Sequence, residues 1–358
     1  MLFASLLLSA MKKIFLSVIL LLSVILTSCG VQEEKTKNKY TAYSFDYFDT
    51  ATTIVGYTET EEGFNQTVEE IKKTLLSYHQ LYDIYKLYDG VDNLCKLNVE
   101  KEIKADAKII DLLLYAKEMY KLTDGKVNAA MGSVLSIWHA YRERGTDEPA
   151  KAELPPMEKL LEAAEHCNID DVIIDRDNNT VRLADPDMKL DVGAIAKGYA
   201  VEMTAKMLEE KGVDNFLLNV GGNIRAVGSK PGGEEWLIGI ENPDTENEDM
   251  PYIEYLEAEN FALVTSGCYQ RYYYVNGQRY HHIIDPDTLM PATNFMSVSV
   301  ICPDSGMGDA LSTALFSMSL QEGRKLIEKT DGAEALWVMP NGEKAYSSGF
   351  ESYVTEAP

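Results

Sequence analysis

The sequence predicts an α+β fold built from mixed helices and antiparallel hairpins. Two observations carry that reading. Helical periodicity dominates the first half, while the second half carries short β-branched runs punctuated by glycine turns. The regular strand–helix–strand alternation of a parallel sheet is missing, and so is any repeat of fixed period.

The elements follow in order. Tyr47–Tyr57 is β-branched and aromatic and reads as a strand. Phe64 to about Tyr88 places Val68, Ile71, Leu75 and Leu76 at helical spacing. Ala107–Leu122 is a second helix, stopped by Thr123-Asp124-Gly125, and Val134–Tyr141 a third. Arg142–Pro156 is charged, holds three prolines and reads as an exposed excursion. Met157–His166 is a short helix, and Asp171–Ala184 a hairpin turning at Asp177-Asn178-Asn179. Ile195–Lys211 is a helix with Gly212 as its stop. Phe216–Val220, Ile224–Val227 and Trp236–Ile240 read as strands. Tyr272–Val275 and Gln278–Ile284 flank Asn276-Gly277, a strong two-residue hairpin signal. Asp309–Met318 is a helix, Ser319-x-x-Glu322 a capping box for the next, and Leu336–Met339 with Lys344–Tyr346 a last hairpin.

Composition narrows the function. The 358 residues are 46% hydrophobic and 25% charged, which is globular. Fifty-seven acidic side chains against 33 basic ones give a net charge of −24. Such a surface repels nucleic acid and disfavours adhesion to anionic lipid through a basic patch. A phosphate-bearing ligand therefore needs cations or a metal gathered in one pocket. Cys95, Cys167, Cys268 and Cys302 form no C-x-x-C pair and no zinc spacing, and read as small semi-buried hydrophobes.

The amino terminus reads as an address. Lys12-Lys13 precede an apolar run, Ile14–Leu26, and then Thr27-Ser28-Cys29. The run is short for a membrane span. Leu26-x-x-Cys29 resembles a bacterial lipobox, implying a signal over 1–28, a lipid-bearing Cys29 and a tether over 29–44. The folded domain is then 45–350. Met11 is a better start than Met1, because two lysines follow it directly. The expected location is the extracytoplasmic side of the cell membrane.

Five segments could carry chemistry. Asp309 and Thr313, four apart on a helix, present hard oxygens to one face, as suits Mg²⁺; on spacing alone, a helix cap at Asp309 and a packed Thr313 explain them more simply. Asp191-Val192-Gly193-Ala194-Ile195-Ala196-Lys197-Gly198 runs a small-residue loop into a helix N-terminus, which suits an anion, and Lys197 adds a point charge. It lacks the P-loop pattern. In Tyr280-His281-His282-Ile283-Ile284-Asp285 the adjacent histidines diverge, so one could act as a general base, a shared metal is the weaker idea, and one buried and one exposed structural histidine is the plain alternative. Asn219-Val220-Gly221-Gly222-Asn223 permits close backbone approach by a ligand. Thr123–Gly132 reads as a polar turn between helices.

In order and wording these segments resemble the ApbE family, the FAD:protein FMN transferases. The likeness rests on Phe48-Asp49-Thr50, Thr123-Asp124-Gly125-Lys126-Val127-Asn128, Leu190–Ala200, Asn219–Asn223, Thr265-Ser266-Gly267, His282-Ile283-Ile284-Asp285-Pro286 and Asp309–Phe316. It spans about Phe45 to Tyr346. The resemblance implies an ApbE-type (T-fold-like) architecture and Mg²⁺-dependent splitting of FAD. FMN would pass to a Thr or Ser hydroxyl of an acceptor protein, leaving AMP. It further implies Mg²⁺ on Asp309, Thr313 and the Ala194 carbonyl. Tyr85 (with Tyr82 next), Lys126, Val127, Asn128, Asp191, Lys197, Ile283 and Ile284 would contact FAD, and His282 would be the base. The family's usual Ala-Phe-Asp after Asp-Gly is Lys126-Val127-Asn128 here, which removes a carboxylate near the donor. Its usual Met-Gly-Thr is Phe48-Asp49-Thr50, to which no side-chain role carries over. A membrane redox protein is the natural acceptor for an anchored enzyme. The competing readings are a non-catalytic FAD-binding lipoprotein and, more remotely, a solute-binding lipoprotein.

Overall fold

The computed structural model describes residues 36–247 and 249–357. The signal, Cys29 and the first part of the tether, up to residue 35, lie outside the described residues. At the centre is an eight-stranded antiparallel sheet. Its strands, in order, are Asn38–Tyr47, Thr50–Thr58, Phe216–Val220, Asn223–Val227, Ala262–Gly267, Ser297–Cys302, Glu334–Val338 and Lys344–Tyr346. The α+β class is thus as expected, and the topology is that of hairpins joined edge to edge.

One face of the sheet is covered by helices. Glu61–Tyr82 buries Phe64, Val68, Ile71 and Leu75 against Val201, Ala205 and Leu208 of helix Ala196–Glu210, and against Phe216 and Leu218 of the sheet. Helix Ser305–Phe316 lays Ala310, Leu311 and Ala314 on Val298 and Val300. Removing such a side chain, as in Leu75→Ala, costs about 2–5 kcal/mol because the pocket collapses only partly. The other face is closed by the smaller sheet of Trp236–Glu241, Tyr252–Ala258 and Val354–Thr355, through Trp236, Leu256, Leu263 and Leu336.

Two satellites flank this core. Strands Glu102–Lys104, Thr180–Leu183 and Val172–Asp175 pack on helix Ala107–Leu122. Helix Gly132–Asp147 packs Val134 and Trp138 against Leu160, Tyr273 and Val275. Trp138 Nε1 also donates to the Leu289 carbonyl at 2.8 Å. The hairpin Tyr272–Val275/Gln278–His281 is therefore clamped beside that helix.

Several sequence expectations need correction. The tether ends early: Asn38–Tyr47 is an edge strand, because Tyr47 packs into the core and Tyr40 stacks on Phe64. The domain also runs past 350, since Val354-Thr355 pair with Leu256 and Tyr255. Phe48-Asp49 is a turn rather than strand. Both residues sit in the left-handed region (φ 53° and 50°), uncommon outside glycine. His79 holds this turn, accepting the Phe48 N–H at 3.2 Å on Nδ1. The first long helix stops at Tyr82, where Asp83 turns extended and Tyr88 leaves the helical register. Arg142–Asp147 continues its helix instead of looping out, and Gly145, lacking a side chain, lets Tyr273 pack against it. The hairpin strand ends at His281, so His282–Ile284 are loop. The four described cysteines are free; Cys268 and Cys302 are buried and Cys95 and Cys167 half-buried.

Candidate functional site

Two helix N-termini meet at the site. Helix Ser305–Phe316 starts with Asp304, whose side chain accepts the Met307 N–H. Asp309 is therefore not the cap. It lies a turn inside, only 6% exposed, on the face crossing helix Ala196–Glu210. The crossing is close because Gly198 has no side chain: a Cβ there would lie 2.3 Å from the Ser305 carbonyl oxygen and 2.6 Å from Asp309 Cβ.

That proximity rewires the first turn. The Ala196 and Tyr199 N–H groups return to the Val192 and Ile195 carbonyls in the ordinary way. The Gly198 N–H instead donates to Asp309 Oδ2 at 2.8 Å. Among the described residues no backbone N–H then reaches the Ala194 carbonyl. One carboxylate thus frees a backbone oxygen beside itself. Thr313, one turn further along Asp309's helix, has Ser266 Oγ 3.4 Å from its hydroxyl, while Ser266 and Ser312 hydroxyls bond at 2.9 Å. Asn223 is fully buried near Asp309, and among the described residues neither of its amide atoms has a hydrogen-bond partner in ordinary geometry.

Electrostatics set these groups against their surroundings. Burial pushes the Asp309 carboxyl above its usual range, opposed by Lys197, the Gly198 N–H and the Asn223 amide. Burial also lowers Lys197, with Asp309 acting the other way. Its ammonium reaches the Gly221 carbonyl at 3.5 Å. Gly221 and Gly222 form the two-residue hairpin turn at φ +56° and +86°, which glycine alone adopts freely. The Asn219 side chain accepts the Gly222 N–H at 3.0 Å.

These groups open onto one cleft of about 910 Å³. Ala194, Lys197, Thr313 and His282 all line it, with Asp309 directly behind Lys197 and Gly198. His282 donates its backbone N–H to the Arg271 carbonyl, and its Nδ1 is buried without a partner. Burial, then the nearby Arg271, His281 and Arg142 charges, push its imidazole down to about 3. Its neighbour His281 points away, toward the Ala292 carbonyl at 2.6 Å and the Phe316 ring. The two histidines diverge as expected, although the strand ends at His281 and His282 is already in the loop.

The remaining sequence candidates also border the cleft, in unequal ways. Tyr85 stands at the rim, 62% exposed and stacked on His139 at 4.9 Å. Tyr82 is buried and donates to the Lys108 carbonyl, so it is structural. Asp191 accepts the Gly193 N–H at 2.9 Å; burial raises its carboxyl, against the pull of His139, Arg142 and Arg271. Lys126 is spent on two carboxylates, Asp285 at 2.8 Å and Asp287 at 2.7 Å. Asn128 donates to the Cys167 carbonyl and accepts the Ala130 N–H, which leaves wall rather than reach. Val127, Ile283 and Ile284 are buried apolar lining.

Sequence reasoning missed Arg142 and Arg271. Both line the cleft, and among the described residues neither makes an ion pair. The demand for local cations on an acidic chain was a usable signal; their positions were not.

A cleft with hard oxygen donors, small-residue helix termini and unpaired cations has the chemistry to receive a phosphate-bearing ligand together with a divalent ion. The comparisons agree with the fold. The ApbE family model matches residues 48–337, and this chain belongs to the ApbE family. An FAD:protein FMN transferase from Treponema pallidum is 32% identical over 261 residues, covering 69% of this chain and 70% of that one. One from Haemophilus influenzae is 28% identical over 356 residues, covering 97% and 99%. The ApbE protein of Thermotoga maritima superposes with a TM-score of 0.77 at 29% identity, over 89% of this chain and all of that one. The flavin transferase ApbE from Vibrio cholerae shares the fold at a TM-score of 0.73.

Proposed function

We propose that this protein is an FAD:protein FMN transferase that uses Mg²⁺ to move FMN from FAD onto a Thr or Ser hydroxyl of an acceptor protein, releasing AMP. The coarser statement, a flavin transferase, rests on the family and on relatives bearing that name. The finer one rests chiefly on a single observation: Asp309 strips the Gly198 N–H from the Ala194 carbonyl beside the Thr313 hydroxyl, on a cleft that also holds Lys197 and His282.

The donor set suits Mg²⁺. A carboxylate, a hydroxyl and a carbonyl are hard oxygens, and too few to complete a coordination shell, which leaves room for water and phosphate oxygens. Asp309, Thr313 and Ala194 would hold the ion; when bound, it neutralises phosphate charge and polarises the pyrophosphate. Lys197 then faces the donor's phosphates. The acceptor Oγ forms a bond to the FMN phosphorus as the bond from that phosphorus to the AMP oxygen breaks. His282 takes the hydroxyl proton. Being neutral at physiological pH, it is in the form that accepts one. Burial depresses it most, and the Arg271, His281 and Arg142 charges add to that; the negative charge of a bound pyrophosphate would offset the charge contribution and raise its basicity.

We further propose that Cys29 carries a lipid and holds the domain on the extracytoplasmic membrane face, where a membrane redox protein is the acceptor. Among the described residues no helix is long and apolar enough to cross a membrane. Mass spectrometry of a candidate acceptor after co-expression tests the reading. A flavin phosphoester on Thr or Ser is expected. FAD held intact with no adduct on plausible acceptors would favour the storage lipoprotein instead.

A further inference from the structure

Of the cations that line the cleft, Lys126 is neutralised by Asp285 and Asp287, and Lys197, which feels the Asp309 charge, reaches the Gly221 carbonyl. Arg142 and Arg271 have no such partner within ion-pair distance among the described residues. They reach the cleft from different elements, the helix Gly132–Asp147 and the loop before Tyr272. Their fields nevertheless converge. Both act on Tyr85, Asp191 and His282, and Arg271 also acts on Lys197. The carboxylates that oppose them are Glu143, which acts on Arg142, and Asp191, which already accepts the Gly193 N–H.

Arg142 is also built into place. Its Nη2 lies 2.9 Å from His139 Nδ1, and His139 Nε2 lies 3.1 Å from a Glu143 carboxylate oxygen. That chain fixes the tautomer: Nε2 donates to Glu143, and Nδ1 accepts from the guanidinium. The His139 ring is stacked in turn on Tyr85. Burial disfavours the Arg142 charge, and Tyr85, Glu143 and Asp191 offset it only in part. A desolvated, oriented and unpaired guanidinium on a chain of net charge −24 is costly unless an anion completes it.

We propose that Arg142 and Arg271 are the seat for the donor's phosphate charge, with His139 as the positioning residue that aims Arg142. The inference rests on the reading of the donor as a dinucleotide, and adds to it the residues that admit an anion to an acidic protein. Two guanidinium forks meet planar pairs of phosphate oxygens from two sides, which a single lysine cannot do.

The test is FAD binding by the full chain in Mg²⁺ buffer, measured by flavin fluorescence over a range of salt concentrations. Arg142→Gln and Arg271→Gln are each expected to weaken binding about 10-fold or more, the worth of a charge-assisted hydrogen bond. Each should also flatten the dependence of affinity on salt. Arg142→Lys and Arg271→Lys keep the charge and should retain that dependence with a smaller loss; they also serve where a glutamine variant fails to fold. His139→Phe keeps the ring stacking and should weaken FAD as Arg142→Gln does. Unchanged affinity in the glutamine variants, or a loss with the salt dependence intact, overturns the proposal, because packing alone would produce the latter. Should the wild-type chain fail to bind FAD at all, the donor reading under the proposed function is what falls.

Discussion

Gly198→Ala adds one methyl group at the point where two helices cross. Its Cβ would sit 2.3 Å from the Ser305 oxygen and 2.6 Å from Asp309 Cβ, against an ordinary contact of 3.4 Å or more. The helices must therefore separate by roughly 1 Å, an overpacking that costs about 1–3 kcal/mol. Separation also lengthens the 2.8 Å bond from the Gly198 N–H to Asp309. A hydrogen bond to a buried charge is worth about 1.5–3 kcal/mol. Alanine's lower unfolded-state entropy returns about 0.4–1 kcal/mol. The destabilising terms win, with a net loss of about 3 kcal/mol. At about 2–4 °C per kcal/mol this lowers the melting temperature by about 6 °C or more. Transfer should suffer further, since a 1 Å misplacement at a reacting centre can cost about 100-fold. Thermal unfolding by circular dichroism and a timed flavinylation assay read both effects. A variant that melts within a degree of wild type and transfers FMN at the same rate would refute the crossing geometry as the source of the site.

Other perturbations separate the remaining roles. His282→Ala should keep FAD binding and lose transfer; unchanged transfer in a flavinylation assay would remove His282 from the reaction. Because the folded His282 binds a proton only near pH 3 while the unfolded one does so near 6.5, stability is full above pH 6.5 and falls as pH drops toward 3. The slope from this one group is at most about 1.4 kcal/mol per pH unit, and urea titrations at pH 7 and 5 on wild type and His282→Asn should show it shrink in the variant. Lys126→Met should change FAD affinity less than about 3-fold in equilibrium titration, since an ammonium already held by two carboxylates has little left for a ligand. Cys29→Ala should move the protein from the membrane to the soluble fraction without harming turnover of the isolated domain.

Much of the fold is visible in short-range signals. Asn276-Gly277 and Gly221-Gly222 turn where their chemistry says, and Ser319 forms its capping box with Glu322. What escapes is set by distant contacts. Ser297–Cys302 is buried at every position, so the alternation that marks a half-buried strand is missing. Arg142–Asp147 looks like a charged loop, yet the helix runs on to Asp147 with Tyr273 packed on Gly145, a distant contact that no local signal announces. The site divides likewise. Asp309 and Thr313 are readable as an i, i+4 pair, whereas spacing alone favours a helix cap at Asp309. Only the crossing at Gly198, 111 residues away in sequence, shows that Asp309 faces inward. Arg271 and Arg142 carry no local motif, and only the hairpin clamped on Trp138's helix brings them to one cavity.

The most direct measurement counts AMP against modified acceptor. The purified domain, FAD, Mg²⁺ and an acceptor bearing a Thr site are mixed, and free AMP and the covalent flavin are quantified together. One AMP should appear for each flavin attached, and Asp309→Ala should abolish both even in excess Mg²⁺. A flavin bound without AMP, or full turnover by Asp309→Ala, would contradict the account.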